Sequence, residues 1–266
     1  MEIVFYVIIF ILGTLLGQIC ARIAQRIIKG KKAFAMHSYC ANCGKELTFF
    51  EQIPILSYIF NNGKCRQCKQ KIDTLYIILE VTTGILLLAA AFGTKLNIAN
   101  INVASLISFV FITLYISYIV LTIAIDKKNR NMPASLLAYG IIISLVYIVY
   151  MCITETSSIY ANIVYLAILV ILLLANVLNT KKRAQSSYVL DLLTMLLIML
   201  IFTSQIICIL TIAGTLMSIA LYILIKKIKM SKGQKGKTSF ASKIKIAYIM
   251  GSLNLIIFLT LINIFK

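Results

Sequence analysis

The run INVASLISFVFITLYISYIVLTIAI, residues 101–125, contains no charged side chain and is followed at once by Asp126. A helix rises about 1.5 Å per residue, so roughly 20 apolar residues are needed to cross about 30 Å of hydrocarbon. The run therefore predicts a transmembrane helix. Of the 266 residues of the chain, 61% are hydrophobic and 13% are charged, a composition that excludes an ordinary soluble domain.

Further apolar runs predict an all-α polytopic membrane protein with about eight transmembrane helices. Two of these runs form one stretch of nearly forty residues, which is too long for a single span and is most simply divided at Thr203-Ser-Gln205. The first run begins at Met1-Glu2, has no small-residue cleavage signature and precedes basic residues, so we expect a retained anchor. The predicted spans are 3–21, 75–94, 101–125, 134–153, 159–179, 188–203, 205–225 and 246–265.

The net charge of +18 would suggest a nucleic-acid partner in a soluble chain, but here its distribution matters more. With eight spans, 24 of the 26 basic residues fall on one side of the membrane and only Lys95 and Lys266 on the other. The positive-inside rule places the basic side in the cytoplasm and both termini outside. A seven-span chain would strand the eight basic residues of 226–245 outside. We therefore expect a cell-membrane protein whose basic loops face anionic headgroups, and no nucleic-acid partner.

The loop at residues 22–74 carries two C-x-x-C pairs, Cys40/Cys43 and Cys65/Cys68, separated by 21 residues. Four thiolates at this spacing are typical of a structural zinc ribbon. A loop of this length with few apolar runs can hardly build a core, so bound metal would fold it. Four basic residues would help to offset the charge of a zinc tetrathiolate: Lys45, Lys64, Arg66 and Lys69.

Two other interpretations of the cysteines remain open at this point. The pairs could be redox dithiols or unliganded thiols, although structural disulfides are disfavoured in a reducing cytosol. His37 lies three residues before Cys40, but four cysteines already complete a zinc site. Cys20, Cys152 and Cys208 lie in or at the ends of apolar spans, where cysteine commonly acts as a small hydrophobe.

Three carboxylates fall inside or at the edge of apolar spans, where burial of charge is costly: Glu80, Asp126 and Asp191. The predicted topology places all three near the cytoplasmic boundary. Two aspartates at one depth could share a proton, with one ionised to activate water and the other protonated to polarise a carbonyl, as in aspartic proteases. Such a pair titrates as a unit, so Asp126 and Asp191 receive no separate roles. The ordinary alternative is a loop-edge Asp126 and a helix N-terminal Asp191.

A combination of motifs in the N-terminal half resembles the type IV prepilin leader peptidases. Pro54, Ser57 and Tyr58 lie between the two C-x-x-C pairs, and Glu80 and Gly84 follow in the next span. The stretches that carry the likeness are Gln52-Ile-Pro-Ile-Leu-Ser-Tyr58, Gly63-Lys-Cys-Arg-Gln-Cys68 and Leu79-Glu-Val-Thr-Thr-Gly84.

The resemblance extends to single residues elsewhere in the chain. Upstream, Gly17 and Arg26 fit the family's glycine and arginine. The family's first catalytic aspartate ends a span and precedes a proline by seven residues, which matches Asp126 and Pro133. Asp191 is the only candidate for its second catalytic aspartate. On this basis Glu80 and Arg26 are expected to support the site.

The resemblance implies a membrane aspartic endopeptidase that removes the leader peptide of type IV prepilins or pseudopilins at the cytoplasmic membrane face. Many family members then methylate the new N-terminus with S-adenosylmethionine, which makes this a possible second cofactor beside zinc. The implied organisation is a first transmembrane helix at 1–21, a cytosolic zinc-binding loop at 22–74 and a multi-span peptidase domain at 75–266.

One departure from the family supports a second hypothesis. The sequence around the second aspartate is Tyr188-Val-Leu-Asp191-Leu-Leu193, without the glycines or the lysine of the family's motif. The alternative is therefore a catalytically impaired homologue that binds prepilins or assembly partners without cleaving them. A proton-coupled transporter is disfavoured because the three carboxylates cluster on one side of the membrane.

Overall fold

The structure is a computed structural model. It describes residues 2–30, 40, 43–46, 48, 53, 55–96, 102–128, 132–154, 159–179, 186–203, 205–231 and 246–262. Within these residues every regular element is an α-helix, apart from isolated bridge residues that include the antiparallel pair Lys64 and Lys71. The predicted all-α fold class is confirmed.

Eight long helices and one short helix make up the described chain. The short helix, α2, lies in the cysteine loop between the first two long helices. The elements are α1 Glu2–Ile28, α2 Leu56–Phe60, α3 Thr74–Gly93, α4 Val103–Lys128, α5 Ala134–Ile153, α6 Ile159–Asn179, α7 Ser186–Phe202, α8 Gln205–Ser231 and α9 Ile246–Ile262.

Each predicted span coincides with one long helix, and the division of the long apolar stretch is confirmed because α7 ends at Phe202 and α8 begins at Gln205. The clearest difference is at α1, which continues to Ile28 rather than ending near residue 21. The extension contains Arg22, Ala24, Gln25 and Arg26, which favour helix although the two arginines and the glutamine end the apolar run. Hydropathy marks where a helix leaves the apolar layer, and it does not mark where the helix ends.

Five helical segments of the described chain are long and apolar enough to cross a membrane: Glu2–Ile28, Thr74–Gly93, Val103–Asp126, Ala134–Ile153 and Ile206–Leu224. Two shorter apolar segments, Leu190–Phe202 and Ile246–Phe258, accompany them. Together they define a multi-pass membrane protein. Buried hydroxyls inside the helices donate to their own backbone, as Thr83 does to the Leu79 carbonyl at 2.8 Å, which satisfies these groups where water is absent.

The chain divides into two compact units, residues 1–129 with 262–266 and residues 130–261. In the first unit α1 packs against α3 and α4, and α3 also contacts α4. In the second unit α5, α6 and α7 pack together around Ile141, Leu169 and Leu197. The division predicted from the sequence into an anchor, a cysteine loop and a peptidase domain stays a prediction.

Candidate functional site

The four cysteines of the loop come together as one cluster. Their sulfur atoms all lie within 4.8 Å of one another, and the Sγ atoms of Cys40 and Cys68 are 4.0 Å apart. Zn–S bonds of about 2.3 Å in a tetrahedron place sulfurs roughly 3.8 Å apart, so a small contraction of this cluster would fit zinc. None of the four forms a disulfide. The chemistry of four thiols fits a structural metal site with no open position.

The two C-x-x-C pairs adopt the same turn. The backbone N–H of Cys40 donates to the Lys45 carbonyl, and that of Gly44 donates to the Cys40 carbonyl. The second pair repeats both bonds, from Cys65 to Gln70 and from Lys69 to Cys65. The fourth residue after the first cysteine has positive φ in each turn, 73° at Gly44 and 55° at Lys69. Glycine suits this conformation, whereas lysine adopts it at a conformational cost.

The second turn is supported by the end of α2. Gly63 has a φ of 65°, and its N–H donates to the Tyr58 carbonyl at 2.8 Å. A Cβ at this position would lie 2.8 Å from the Tyr58 ring, so only glycine fits. The Gly63 carbonyl in turn accepts from the Ile72 N–H at 2.8 Å. Tyr58, one of the residues that carry the family resemblance, thus packs against Gly63, two residues before the second cysteine pair.

Glu80 joins the long helices to the segment between α1 and α3 that carries Cys40, Cys43, Cys65 and Cys68, which we call the cysteine module. Its Oε2 accepts a hydrogen bond of 2.9 Å from the backbone N–H of Ile55, which immediately precedes α2. Ile55 has a φ of 60°, which is unusual for a β-branched residue and marks a conformation held by its surroundings. The Glu80 side chain is buried, and Arg22 of α1 interacts with it electrostatically. Arg26, also buried, interacts electrostatically with Arg22.

The sequence interpretation missed two features of this region. It did not single out Arg22, and it treated Gly17 only as a family residue. A Cβ at Gly17 would clash with Thr83 Oγ1, and a Cβ at Gly13 would lie 2.8 Å from the Gly84 backbone. Glycines therefore allow α1 and α3 to approach closely, and the Gly13-x-x-x-Gly17 spacing in an apolar run was the available signal.

Asp126 lies in the last turn of α4 and is completely buried. Burial of a carboxyl group in an apolar helix is expensive, which is the property expected of a functional residue at membrane depth. Asp126 is therefore not an exposed residue at the edge of a loop, which was the ordinary alternative. Asp126 belongs to the first unit of the chain.

Asp191 is the sixth residue of α7 and is 5% exposed. It belongs to the second unit, so its pairing with Asp126 stays a prediction. The preceding residue, Leu190, is half-buried, and its carbonyl accepts the Thr194 hydroxyl at 2.7 Å. Among the residues of the sequence interpretation, His37, Gln52, Pro54 and Lys266 lie outside the described residues.

The fold and the cysteine cluster define a multi-pass helical membrane protein with a four-cysteine module between its first two long helices. Comparison with known proteins then identifies the family that part of this chain resembles. Residues 11–94 match the family described as the Bacterial Peptidase A24 N-terminal domain. This segment contains the cysteine module, Glu80 and the glycines of α1, and it ends before Asp126. The predicted resemblance to the type IV prepilin leader peptidases is confirmed over this segment.

Several curated relatives carry the name prepilin leader peptidase/N-methyltransferase. The protein from Vibrio cholerae serotype O1 is 29% identical over 143 residues, which cover 52% of this chain and 53% of that protein. That from Bacillus subtilis is 38% identical over 93 residues, covering 34% and 38%, and that from Myxococcus xanthus is 31% identical over 114 residues, covering 41% and 34%. The matched regions thus span about half or less of these relatives. No solved structure matches the chain.

Proposed function

We propose that this protein is a membrane aspartic endopeptidase that removes the leader peptide of type IV prepilins or pseudopilins at the cytoplasmic membrane face. The single observation that supports this most is the burial of two aspartates, Asp126 and Asp191, in apolar helices of a chain related to prepilin leader peptidases. The relatives' names supply the substrate class, and the carboxylates supply the chemistry.

The proposed reaction needs one ionised and one protonated carboxyl group. The ionised aspartate takes a proton from water, and the water oxygen attacks the carbonyl carbon of the scissile peptide. The protonated aspartate donates a hydrogen bond to the carbonyl oxygen and stabilises the charge that develops there. The C–N bond then breaks as the leaving amine accepts a proton. Two like charges at short range would keep one proton on the pair at neutral pH.

The cysteine module has a structural role in this proposal. Cys40, Cys43, Cys65 and Cys68 would hold zinc, which supplies folding energy and takes no part in peptide hydrolysis. Glu80 holds the module against the membrane helices through its bond to Ile55, with Arg22 as its electrostatic partner, and Arg26 is proposed as a further supporting residue. A second activity, methylation of the new N-terminus with S-adenosylmethionine, is proposed only from the relatives' names.

The test is co-expression of the full chain with a candidate prepilin, with leader removal read from the gel shift and by mass spectrometry of the N-terminus. Cleavage by the wild type that is lost in both Asp126→Asn and Asp191→Asn supports a two-aspartate peptidase. Glu46→Gln, which changes an exposed carboxylate of the module, is the matched control and should cleave normally. Full cleavage by Asp126→Asn would exclude the mechanism. The same spectra reveal the mass of an added methyl group.

The alternative proposal is a homologue that binds prepilins without cleaving them. It is favoured by the sequence before Asp191, where Tyr188 and Leu190 stand at the positions of the two glycines in the family's motif. Side-chain bulk there would keep a substrate strand away from the carboxyl group. Capture of prepilin by wild type without cleavage, together with cleavage gained on Leu190→Gly, would establish this alternative.

A further inference from the structure

The end of α2 presents two large apolar side chains to the surroundings. Ile59 is 59% exposed and Phe60 is 79% exposed. Exposure of this kind is normal on a helix that lipid surrounds, but α2 lies outside all the candidate membrane spans of the described chain. Exposed aromatic and aliphatic side chains that lie together outside a span commonly mark an interaction surface.

The position of α2 along the membrane normal follows from its link to α3. Ile55 N–H, just before α2, bonds to Glu80, the seventh residue of α3. Glu80 lies roughly 9 Å along the helix from its start at Thr74, at about 1.5 Å per residue. The 20 residues of α3 match the hydrocarbon thickness in length. The start of α2 therefore lies no farther out than the membrane end of α3, and Phe60 follows five residues later.

Positive charge accompanies the two apolar residues. The segment 53–72 contains four basic residues and neither Asp nor Glu. All four are exposed, and none forms an ion pair with a residue that the structure describes. Thiolates at Cys65 and Cys68 would offset two of these charges and leave the segment positive. The basic residues are Lys64, Arg66, Lys69 and Lys71.

The backbone brings part of this charge next to the end of α2. Lys64 and Lys71 face each other in the isolated bridge, and Ile72 N–H bonds to the carbonyl of Gly63. Gly63 itself packs on Tyr58 of α2. An apolar tip beside cations, at the level of the membrane surface, is complementary to a layer of acyl chains beneath anionic headgroups.

We propose that Ile59, Phe60, Lys64 and Lys71 form a lipid-docking tip. Phe60 and Ile59 insert at the boundary between acyl chains and headgroups, and the two lysines bind phosphates of anionic phospholipids in the same leaflet. The tip holds the cysteine module against the bilayer at a second point, apart from the bond to Glu80. This role goes beyond the proposed peptidase activity and would exist in an inactive homologue as well.

The chain contains no tryptophan, so a single tryptophan is a clean reporter of lipid contact. The experiment uses full-length Phe60→Trp in bilayers with or without brominated phosphatidylcholine, whose bromine atoms quench fluorescence on contact. Ile78→Trp, on the exposed face of α3, is the lipid-facing control, and Gln67→Trp, exposed in the second cysteine turn, is the water-facing control. Bound zinc verifies that each variant is folded. Ile59→Trp replaces Phe60→Trp if the latter fails this check.

Tryptophan at residue 60 should be quenched by bromolipid roughly twofold or more above the Gln67→Trp control, and close to Ile78→Trp. Quenching should increase when brominated phosphatidylglycerol replaces part of the brominated phosphatidylcholine, and this increase should disappear in Lys64→Gln/Lys71→Gln. Quenching no greater than in Gln67→Trp would overturn the proposal. Protection from aqueous iodide without bromolipid quenching would indicate that protein covers the tip, and indifference to phosphatidylglycerol would exclude an anionic lipid site. Either result overturns the proposal.

Discussion

Glu80 connects two parts of the molecule that the sequence separates. Its carboxylate belongs to α3, and the amide that it accepts from is 25 residues earlier, at the start of α2. A hydrogen bond to a charged group contributes about 2 kcal/mol. Loss of this partner would also leave the desolvation cost of the buried carboxylate uncompensated. The bond therefore favours one position of the module relative to α1 and α3.

We expect Glu80→Ala to loosen the cysteine module without removing its metal ligands. Trypsin should cut the segment between α1 and α3 several-fold faster than in the wild type, because a bond of about 2 kcal/mol no longer opposes local opening. Zinc content should stay near the wild-type value. Glu46→Ala, which removes an exposed carboxylate from the same module, serves as the control. Equal cleavage rates for Glu80→Ala and wild type would contradict this assignment.

Residue type and spacing were sufficient to predict which cysteines cluster, because each C-x-x-C turn is local and zinc chemistry demands four ligands. They were also sufficient to select Asp126 and Asp191 as unusual. They could not reveal that Glu80 reaches Ile55, because a contact across 25 residues depends on where a short helix packs. The pairing of the two aspartates is a similar question of packing between distant helices, and no polar stripe in uniformly apolar helices fixes their rotation.

At the scale of elements, the interface between α1 and α3 is formed around small residues, which let the two helix backbones approach closely. Apolar side chains gain little from packing in lipid, so close backbone approach supplies much of the attraction between membrane helices. Gly17 has the least room, since a Cβ there would also lie 2.9 Å from the Leu79 carbonyl oxygen. Backbone atoms cannot move aside as a flexible side chain can.

Gly17→Ala should therefore lower the stability of the first unit by about 1–3 kcal/mol, the usual cost of overpacking. Thermal unfolding in detergent, followed with a thiol-reactive dye that labels the buried Cys20 on opening, measures the change. Gly214→Ala is the matched control, because its Cβ would meet a single side-chain atom of Leu253 at 3.3 Å. Combining Gly17→Ala with Thr83→Ala should restore part of the loss. If Gly17→Ala unfolds at the wild-type temperature, the close approach is not required.

The cysteine module is the other element whose folding can be tested by itself. Cys65→Ser should reduce bound zinc from about one ion per chain and make the loop sensitive to protease, since metal binding and folding are coupled. A strong chelator should have the same effect on the wild type. Cys152→Ser changes a half-buried cysteine of α5 outside the cluster and should retain zinc. Unchanged metal content in Cys65→Ser would exclude the zinc ribbon.

The number and positions of the long helices could be predicted from hydropathy alone, including the separation of α7 from α8, because a membrane limits the length of an apolar span. Hydropathy predicted the ends of these helices less accurately. The last turns of α1 and α8 extend beyond the apolar runs into basic segments, where Ala, Arg and Lys favour helix outside hydrocarbon. Arg22 and Arg26 consequently lie on a helix rather than in a loop, which is why they can reach the region of Glu80.

At the scale of the whole molecule, the matched family segment ends before both aspartates, and the two aspartates lie in different units of the chain. Residues 11–94 fall within the first unit together with Asp126, whereas Asp191 lies in the second. The relationship to prepilin leader peptidases is therefore strongest where the module is, and the proposed catalytic pair needs both units. Separate tests of the module and of cleavage are informative for this reason.

The membrane topology is the remaining prediction for the whole chain. Eight spans place residues 232–245 in the cytoplasm and the C-terminus outside, since the basic residues would otherwise face the wrong side. Green fluorescent protein inserted after residue 240 should fluoresce, whereas alkaline phosphatase there should be inactive. Phosphatase joined after Lys266 should be active, and phosphatase inserted after residue 97, in the predicted outer loop with Lys95, is the positive control. With the N-terminus outside, an active phosphatase at residue 240 would instead require an even number of spans before it, and would move the eight basic residues of 226–245 outside.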